Sequence, residues 1–367
     1  MMMTIFSGRF LQHLVLAVSI LFVLQQRVAD SDAVRCIEEE REALLVFKQS
    51  LVVDESGRLS SWGGLLPDAF GHMISLSRLS LKSNDLEGVI PKSLGNMSSL
   101  LTLDLSSNKF IGNDWVPPFH LSSALLASCK MGPHFPKWLR TQEVIAVLDI
   151  SNAEISDTIP DWFWDIYRVS HLDLSSNQLS GTLPDCWIKF ENLAVLNLAN
   201  NGLSGTIPHS FGSLRNIQAL SLSNNSFSGE FPFLRNCTRL TVMDLQKNAL
   251  SGKIPDWIGE SLPNLVILSL QSNKFHGNIP FQLCRLVNIQ ILDLSFNNIT
   301  GTIPNCVKNF TALSQERSST ASITYQYIPI VTTESSLTGE SVVSLWLTWK
   351  GGEYKCKNTL WDDILSS

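Results

Sequence analysis

Charged residues are scarce in this 367-residue chain, and the scarcity excludes several classes of protein. Only 16% of the residues are Asp, Glu, Lys or Arg, against about 25% in a typical globular protein, and the formal net charge is −6. A basic, nucleic-acid-binding face is therefore not expected. The seven cysteines form no CxxC pair, which excludes a zinc ribbon and a thioredoxin-like redox motif.

Motifs that carry catalysis or hold cofactors are also missing. The sequence has no Gly-rich phosphate loop and no HRD, DFG, HExxH or GxSxG motif. The histidines share no metal-ligand spacing, and we interpret each as a solvated repeat position. They are His13, His72, His120, His134, His171, His209 and His276. We therefore predict no enzyme activity, no cofactor and no metal site.

Long apolar runs are confined to the N-terminus. Residues 14–24 (LVLAVSILFVL) follow the positive Arg9 and precede the small residues Ser31 and Ala33, which is the pattern of a cleaved secretory signal peptide over residues 1–31. This run is too short to cross about 30 Å of hydrocarbon. No later window has 18 apolar residues, so we predict no membrane span in this chain. It should enter the secretory pathway, where cysteines can pair.

One repeated unit, LxLxxNxLxGxIP, fills the middle of the chain. Its LxL segment predicts a short strand with both leucines pointing inward. No single copy can bury its own apolar face, so neighbouring copies must stack. We predict an α/β-type solenoid, a curved leucine-rich-repeat array of about ten 24-residue repeats with a parallel sheet on its concave face. The copies start at Leu79, Leu103, Ala124, Leu148, Leu172, Leu196, Leu220, Met243, Leu268 and Leu292.

The asparagine of the unit turns the chain away from the strand. We expect its amide to be satisfied by backbone groups of adjacent turns. Cys129 and Ala153 occupy this place in two copies, where the ladder of asparagines should weaken. The remaining members are Asn84, Asn108, Asn177, Asn201, Asn225, Asn248, Asn273 and Asn297.

Several segments carry further patterns beside the GxIP element of the 24-residue unit. They are residues 36–48 and 59–62, residues 115–119 (WVPPF), 128–139, 161–164 (DWFW), and the Ser/Thr-rich tail 314–354. The GxIP element resembles the plant-type leucine-rich repeat, and the segments resemble plant leucine-rich-repeat receptor-like proteins of the disease-resistance and fungal-xylanase-receptor group. The resemblance implies a partial N-terminal cap over residues 32–63, repeats over 64–313 and an island-like, truncated tail over 314–367. It also implies a plasma-membrane family with extracellular repeats, which has no kinase and pairs with a receptor kinase.

The chain departs from that family pattern in three places. The cap lacks its Cys-Cys-Trp stretch, because Trp62 runs directly into Gly64-x-Leu66-Pro67, which fits the GxIP place. The 21-residue copy that begins at Leu103 lacks GxIP altogether. The final repeats and membrane helix of the family do not follow the tail. We expect a truncated or alternatively spliced product, or else a genuinely short secreted protein, that is either secreted or retained in the endoplasmic reticulum.

The outward positions of the predicted concave sheet are the candidate ligand-binding residues. Apolar residues at four of them favour a protein or peptide ligand, although scattered surface apolars are the alternative explanation. An acidic row between the strand leucines, Asp104, Asp149, Asp173, Asp244 and Asp293, is interpreted as solvated. The ligand-binding candidates are Arg78, Lys82, His171, Val195, Gln246, Lys247, Ile267, Gln271, Ile291 and Phe296.

Covalent modification is expected at several positions. Cys284 and Cys306 lie in adjacent repeats at nearly the same place, so a disulfide between them is predicted, whereas Cys186 and Cys237 are two repeats apart and should not meet. An N-x-[ST] sequon predicts a glycan at each of five asparagines. These are Asn96, Asn224, Asn236, Asn298 and Asn309.

Three functional hypotheses follow from these patterns. The first is an extracellular ligand-recognition module of a receptor-like protein in defence signalling, which senses a microbial protein or peptide and has no catalysis of its own. The second is a secreted inhibitor of a microbial cell-wall hydrolase, of the polygalacturonase-inhibitor type. The third is a non-functional product whose uncapped end prevents folding.

Overall fold

The computed structural model describes residues 63–66, 68–112 and 115–305, and four short strands beyond them. The predicted signal peptide and almost all of the predicted cap lie outside the described residues, as does most of the tail. The four later strands form two antiparallel pairs. They are Gln326–Tyr327 with Gly339–Glu340, and Leu345–Trp349 with Gly352–Cys356.

Ten parallel strands form one continuous sheet, one strand from each predicted repeat. The leucines of each LxL segment point into the core, so Leu172, Leu196 and Leu220 occupy equivalent places in adjacent strands. The predicted solenoid is therefore confirmed. The strands are Arg78–Ser80, Thr102–Asp104, Ser123–Leu125, Val147–Asp149, His171–Asp173, Val195–Asn197, Ala219–Ser221, Val242–Asp244, Ile267–Ser269 and Ile291–Asp293.

Two smaller parallel sheets lie outside the ten-stranded sheet. One has strands Gly63–Leu65, Asp85–Val89 and Lys109–Ile111, and the other has Ser180–Thr182, Gly202–Thr206, Ser226–Gly229, Ala249–Lys253, Lys274–Gly277 and Asn298–Ile299. The gap between them spans the copies that begin at Ala124 and Leu148, where isolated bridges join Ile111 to Lys130 and Thr158 to Ser180. The inner sheet crosses this gap without a break, because Leu103 still pairs with Ala124 and Ala124 with Leu148.

Short helical turns lie on the convex side of most repeats. Most follow the proline of GxIP, whose fixed φ starts the turn. The 3₁₀ helices are Asp68–His72, Lys92–Asn96, Lys137–Thr141, Asp161–Asp165, Trp187–Lys189, His209–Ser213 and Phe281–Arg285, and Trp257–Ser261 is α-helical. Aromatic rings join some of these turns edge to face, such as Trp187 with Phe211 at 4.5 Å between centroids.

The asparagine ladder has the role predicted for it. Asn177 Nδ2 donates to the carbonyl oxygens of Ile150 (2.9 Å) and Leu174 (3.1 Å), and its Oδ1 accepts the N–H groups of Ala153 and Ile155. From Asn108 onward, each such amide joins its own turn to the preceding repeat. Cys129 keeps one of these bonds, since its thiol donates to the Leu105 carbonyl over 3.3 Å.

Candidate functional site on the concave sheet

Each strand presents two side chains to the concave surface, at its first and third residues, and the chain then adds two more before the asparagine. The last of these four positions has a left-handed backbone in every repeat. Asn200 (φ 56°), Asn224 (φ 50°) and Lys247 (φ 53°) occupy it in consecutive repeats. The concave surface is therefore four columns of residues that run along the solenoid, perpendicular to the strands.

An apolar column occupies the first strand position over the second half of the array. Val195, Ala219, Val242 and Ile267 form one buried cluster, and Ile291 packs against its end. Strands in register place these side chains about 4.8 Å apart, so each one covers its neighbours. Val195 and Ile267 are consequently only 4% and 3% exposed, although they lie on the outer side of the sheet.

The polar candidates at the centre of the sheet are less accessible than their sequence positions suggest. Gln246 and Gln271 are each 3% exposed. His171 is buried, and its burial lowers the pKa of the imidazole to about 4. The interpretation of His171 as a solvated position is therefore wrong, because the side chains of the neighbouring strands enclose the ring.

Four candidates reach solvent freely. Three of them are exposed cations: Arg78 immediately before and Lys82 within the copy that begins at Leu79, and Lys247 in the last of the four columns. Phe296 is 77% exposed and has a φ of 52°, a conformation that bulky residues rarely adopt. The structure thus divides the ten candidates into exposed positions and positions packed within the columns, and ligand binding at all of them stays a prediction.

The acidic row is built into the sheet rather than displayed from it. Oδ1 of Asp149 accepts the N–H of Ser151 over 3.0 Å, and Oδ1 of Asp173 accepts that of Ser175 over 2.9 Å. Asp104 and Asp244 are buried, so the interpretation of the row as solvated is wrong for both. Sequence position alone could not show this, because the covering side chains come from adjacent repeats.

Two of these carboxyl groups hold protons unusually tightly. Burial, reinforced by the neighbouring Asp173 carboxylate, raises the pKa of Asp149 to about 7. Burial also raises the pKa of Asp244 to about 6, against the opposing hydrogen bonds from Ser223 and Gln246. In the next strand, Asn197 occupies the place of the acidic residue and donates from Nδ2 to Asp173 Oδ2 over 2.9 Å. The Asp149–Asp173 pair therefore has no third carboxylate beside it on that side.

The predicted modification sites are partly described. Asn96, Asn224, Asn236 and Asn298 are all exposed, as a glycan requires, and Asn309 lies outside the described residues. Cys284 is disulfide-bonded, but Cys306 lies outside the described residues, so their pairing stays a prediction. Cys186 and Cys237 are free thiols, as expected from their separation.

Within the described part of the chain, no group of three or more His, Cys, Asp or Glu side chains could hold a metal ion. None of the helices described there is long and apolar enough to cross a bilayer.

Comparison with known proteins agrees with this architecture. The Leucine Rich Repeat family model matches residues 168–190, 192–214, 216–237, 239–261 and 288–310. A second leucine-rich-repeat model matches residues 60–110, and the Leucine rich repeat N-terminal domain model matches residues 37–67. The chain therefore belongs to the leucine-rich-repeat proteins.

Within that class, the chain is similar to plant receptor-like proteins. It is 62% identical to Receptor-like protein EIX2 of Solanum lycopersicum over 47 residues, which are 13% of this chain and 5% of that protein. It is 38% identical to Receptor-like protein 14 of Arabidopsis thaliana over 74 residues, or 20% and 7% of the two chains. The matched segments thus span a small fraction of these relatives.

Solved structures with the same fold include plant receptor ectodomains. The crystal structure of a TDR receptor superposes with a TM-score of 0.63 at 28% identity, over 68% of this chain and 44% of that one. The Arabidopsis receptor kinase HAESA, in complex with the peptide hormone IDA and the co-receptor SERK1, gives 0.56 at 33% identity, over 68% and 47%.

Proposed function

We propose that the chain is an extracellular ligand-recognition module of the receptor-like type, whose concave sheet binds a protein or peptide. The observation that carries this proposal is the apolar column Val195–Ala219–Val242–Ile267–Ile291. Most of its members cover one another, so the column is a rigid apolar floor, continuous over five strands. The exposed side chains beside this floor, among them Lys247 and Phe296, are the groups that an extended partner along the solenoid axis would contact.

The proposed signalling role is defence, with the chain acting as a sensor that carries no catalysis of its own. Its similarity to EIX2 supports this role, and the complex of HAESA with a peptide and a co-receptor supports a similar arrangement here. We propose a microbial protein or peptide as ligand and a receptor kinase as partner. The module would act outside the cell, after passage through the secretory pathway. The receptors found among the relatives favour this proposal over a secreted hydrolase inhibitor.

Phe296 provides a direct test of ligand placement. The purified chain would be immobilised and titrated with a fungal xylanase by surface plasmon resonance. We expect saturable binding that Phe296→Ala weakens about tenfold, because an exposed aromatic ring at the edge of the surface is a typical binding anchor.

Phe281→Ala is the matched control, since Phe281 is also exposed but lies on a convex 3₁₀ helix. Binding that depends on Phe281 and not on Phe296 would place the ligand on the convex side and contradict the proposal. Failure of the unsubstituted chain to bind would reject xylanase sensing.

A further inference from the structure

A cleft of about 420 Å³ opens away from the concave sheet, between two neighbouring repeats. It lies between the 3₁₀ helices Lys137–Thr141 and Asp161–Asp165 and the loops that follow them. Its size falls within the range of small-molecule sites, about 300 to 1,000 Å³. None of its lining residues belongs to the four concave columns, so this cleft is independent of the proposed function.

Aromatic side chains form part of the cleft wall. Trp162 is held edge to face by Phe135 and Phe163, with centroid separations of 6.0 and 6.3 Å, and Phe163 is anchored in the core. Tyr167 lies in the loop that follows and is 49% exposed. The cleft therefore offers two aromatic rings, one of them fixed in position by the core, against which a ring-shaped ligand can pack.

The charge in the cleft is not balanced internally. Arg140 and Arg168 are exposed, and neither forms an ion pair with any residue that the structure describes. Of the two acidic residues, Asp165 is engaged by Lys189, whose Nζ lies 3.3 Å from its Oδ1. Glu143 is the remaining carboxylate, so two guanidinium groups face one uncompensated negative charge.

The loop that follows the Arg140 helix is held in place by hydrogen bonds. Gln142 is buried, its Oε1 accepts the N–H of Leu121 over 2.8 Å, and its Nε2 donates to the Phe119 carbonyl over 3.1 Å. These bonds tie the loop to the preceding repeat and leave the Gln142 amide occupied. The wall of the cleft beside Arg140 is therefore preorganised, which lowers the entropic cost of binding.

We propose that this cleft binds a carboxylate attached to a six-membered ring. The planar guanidinium groups of Arg140 and Arg168 match the geometry of a carboxylate, and Trp162 and Tyr167 pack against the ring that bears it. Two kinds of molecule share this chemistry, namely uronic acid sugars and aromatic acids. The positive excess selects the charged form of either one over its neutral ester.

The test uses the purified full chain and isothermal titration calorimetry with three probes. These are trigalacturonic acid, its methyl ester and 4-hydroxybenzoate. We expect one of the two acids to bind saturably. If the sugar is the ligand, the methyl ester should bind at least tenfold more weakly than trigalacturonic acid. Binding of 4-hydroxybenzoate alone would assign the aromatic source and would still support the proposed chemistry.

Arg140→Gln and Arg168→Gln should each weaken binding about tenfold. Arg215→Gln is the matched control, because Arg215 is an exposed arginine in the loop that corresponds to the loop of Arg168, two repeats further on. Circular dichroism would verify that each variant folds. No saturable binding of either acid at millimolar concentration would overturn the proposal, and so would binding that the Arg140 and Arg168 variants leave unchanged.

Discussion

The asparagine at the end of each inner strand is the residue on which the stacking of repeats most directly depends. Asn177 forms hydrogen bonds to five backbone groups, three of them in the preceding repeat. A buried backbone group that loses its partner is left both desolvated and unpaired. The contribution of Asn177 to stability therefore depends on the backbone groups of two repeats that would lose their hydrogen-bond partner without it.

Asn177→Ala should lower the free energy of unfolding by about 2 to 4 kcal/mol, because several buried backbone groups lose their partners. Urea unfolding followed by circular dichroism measures the change. Asn264→Ala is the control, since exposed Asn264 donates only one surface bond, to Thr238, over 2.9 Å. Equal losses in the two variants would contradict a special role for the ladder.

Phe296 is strained by its backbone conformation. Its φ of 52° costs a bulky side chain about 1 to 2 kcal/mol, and asparagine adopts the same conformation more readily. Phe296→Asn should therefore raise the melting temperature, because the exposed ring contributes little burial in return. Differential scanning calorimetry would measure it. A lower melting temperature would mean that the ring packs against the protein in solution.

At the scale of the element, the inner strands bring like charges together. Asp149 and Asp173 are direct partners in adjacent strands, with Asp104 two strands before Asp149 and His171 in the same strand as Asp173. The folded-state pKa of Asp149, about 7, is above its ordinary value of 3.8. The folded chain thus binds this proton more tightly than the unfolded chain does between those pH values.

Stability from this group is therefore fully present at low pH and is lost as the pH rises through about 7. His171 opposes it only below pH 6.5, because its folded pKa is lowered to about 4. Asp149→Asn should flatten the fall in melting temperature between pH 6.5 and 8. Asn197 shows that the same place accepts an amide, whose Oδ1 takes the N–H of Ala199. If the melting temperatures of the unsubstituted chain and of Asp149→Asn fall in parallel with pH, titration of Asp149 is not the cause.

At the scale of the whole molecule, each repeat contacts only its neighbours, so stability is distributed along the array. The strand Val242–Asp244 is buried at all three residues and has a partner on each side. The strand Ile291–Asp293 is half-buried and lies at the edge of the ten-stranded sheet that the structure describes. The two strands should therefore open with different free energies.

Hydrogen exchange measured by mass spectrometry tests this difference. Amides of Ile291–Asp293 should exchange at least about tenfold faster than those of Val242–Asp244, because local opening at an edge disrupts only one interface. Leu196, in another internal strand, provides the internal reference. Uniform protection throughout would indicate that the array unfolds as one cooperative unit.

The repeat period predicts the architecture well because every copy places the same residue types in the same environment. The ten inner strands, their register and the asparagine ladder all follow from it. The period does not predict how exposed a concave side chain is. Val195 and Asp244 occupy outward positions, yet the side chains of adjacent strands bury them. The two arginines of the convex cleft are not apparent from the repeat pattern for a related reason, since Arg140 and Arg168 do not occupy equivalent places in their repeats.

The inner and outer sheets respond differently to an irregular repeat. The copies that begin at Ala124 and Leu148 interrupt the outer strands between Ile111 and Ser180, while the inner sheet continues in register through both of them. If one whole repeat were duplicated or lost in the gene, the inner strands on either side of the change could therefore still pair in register, and the inner surface would remain continuous. The molecule can change its length and its outer face over evolutionary time without rebuilding the surface proposed to recognise a partner.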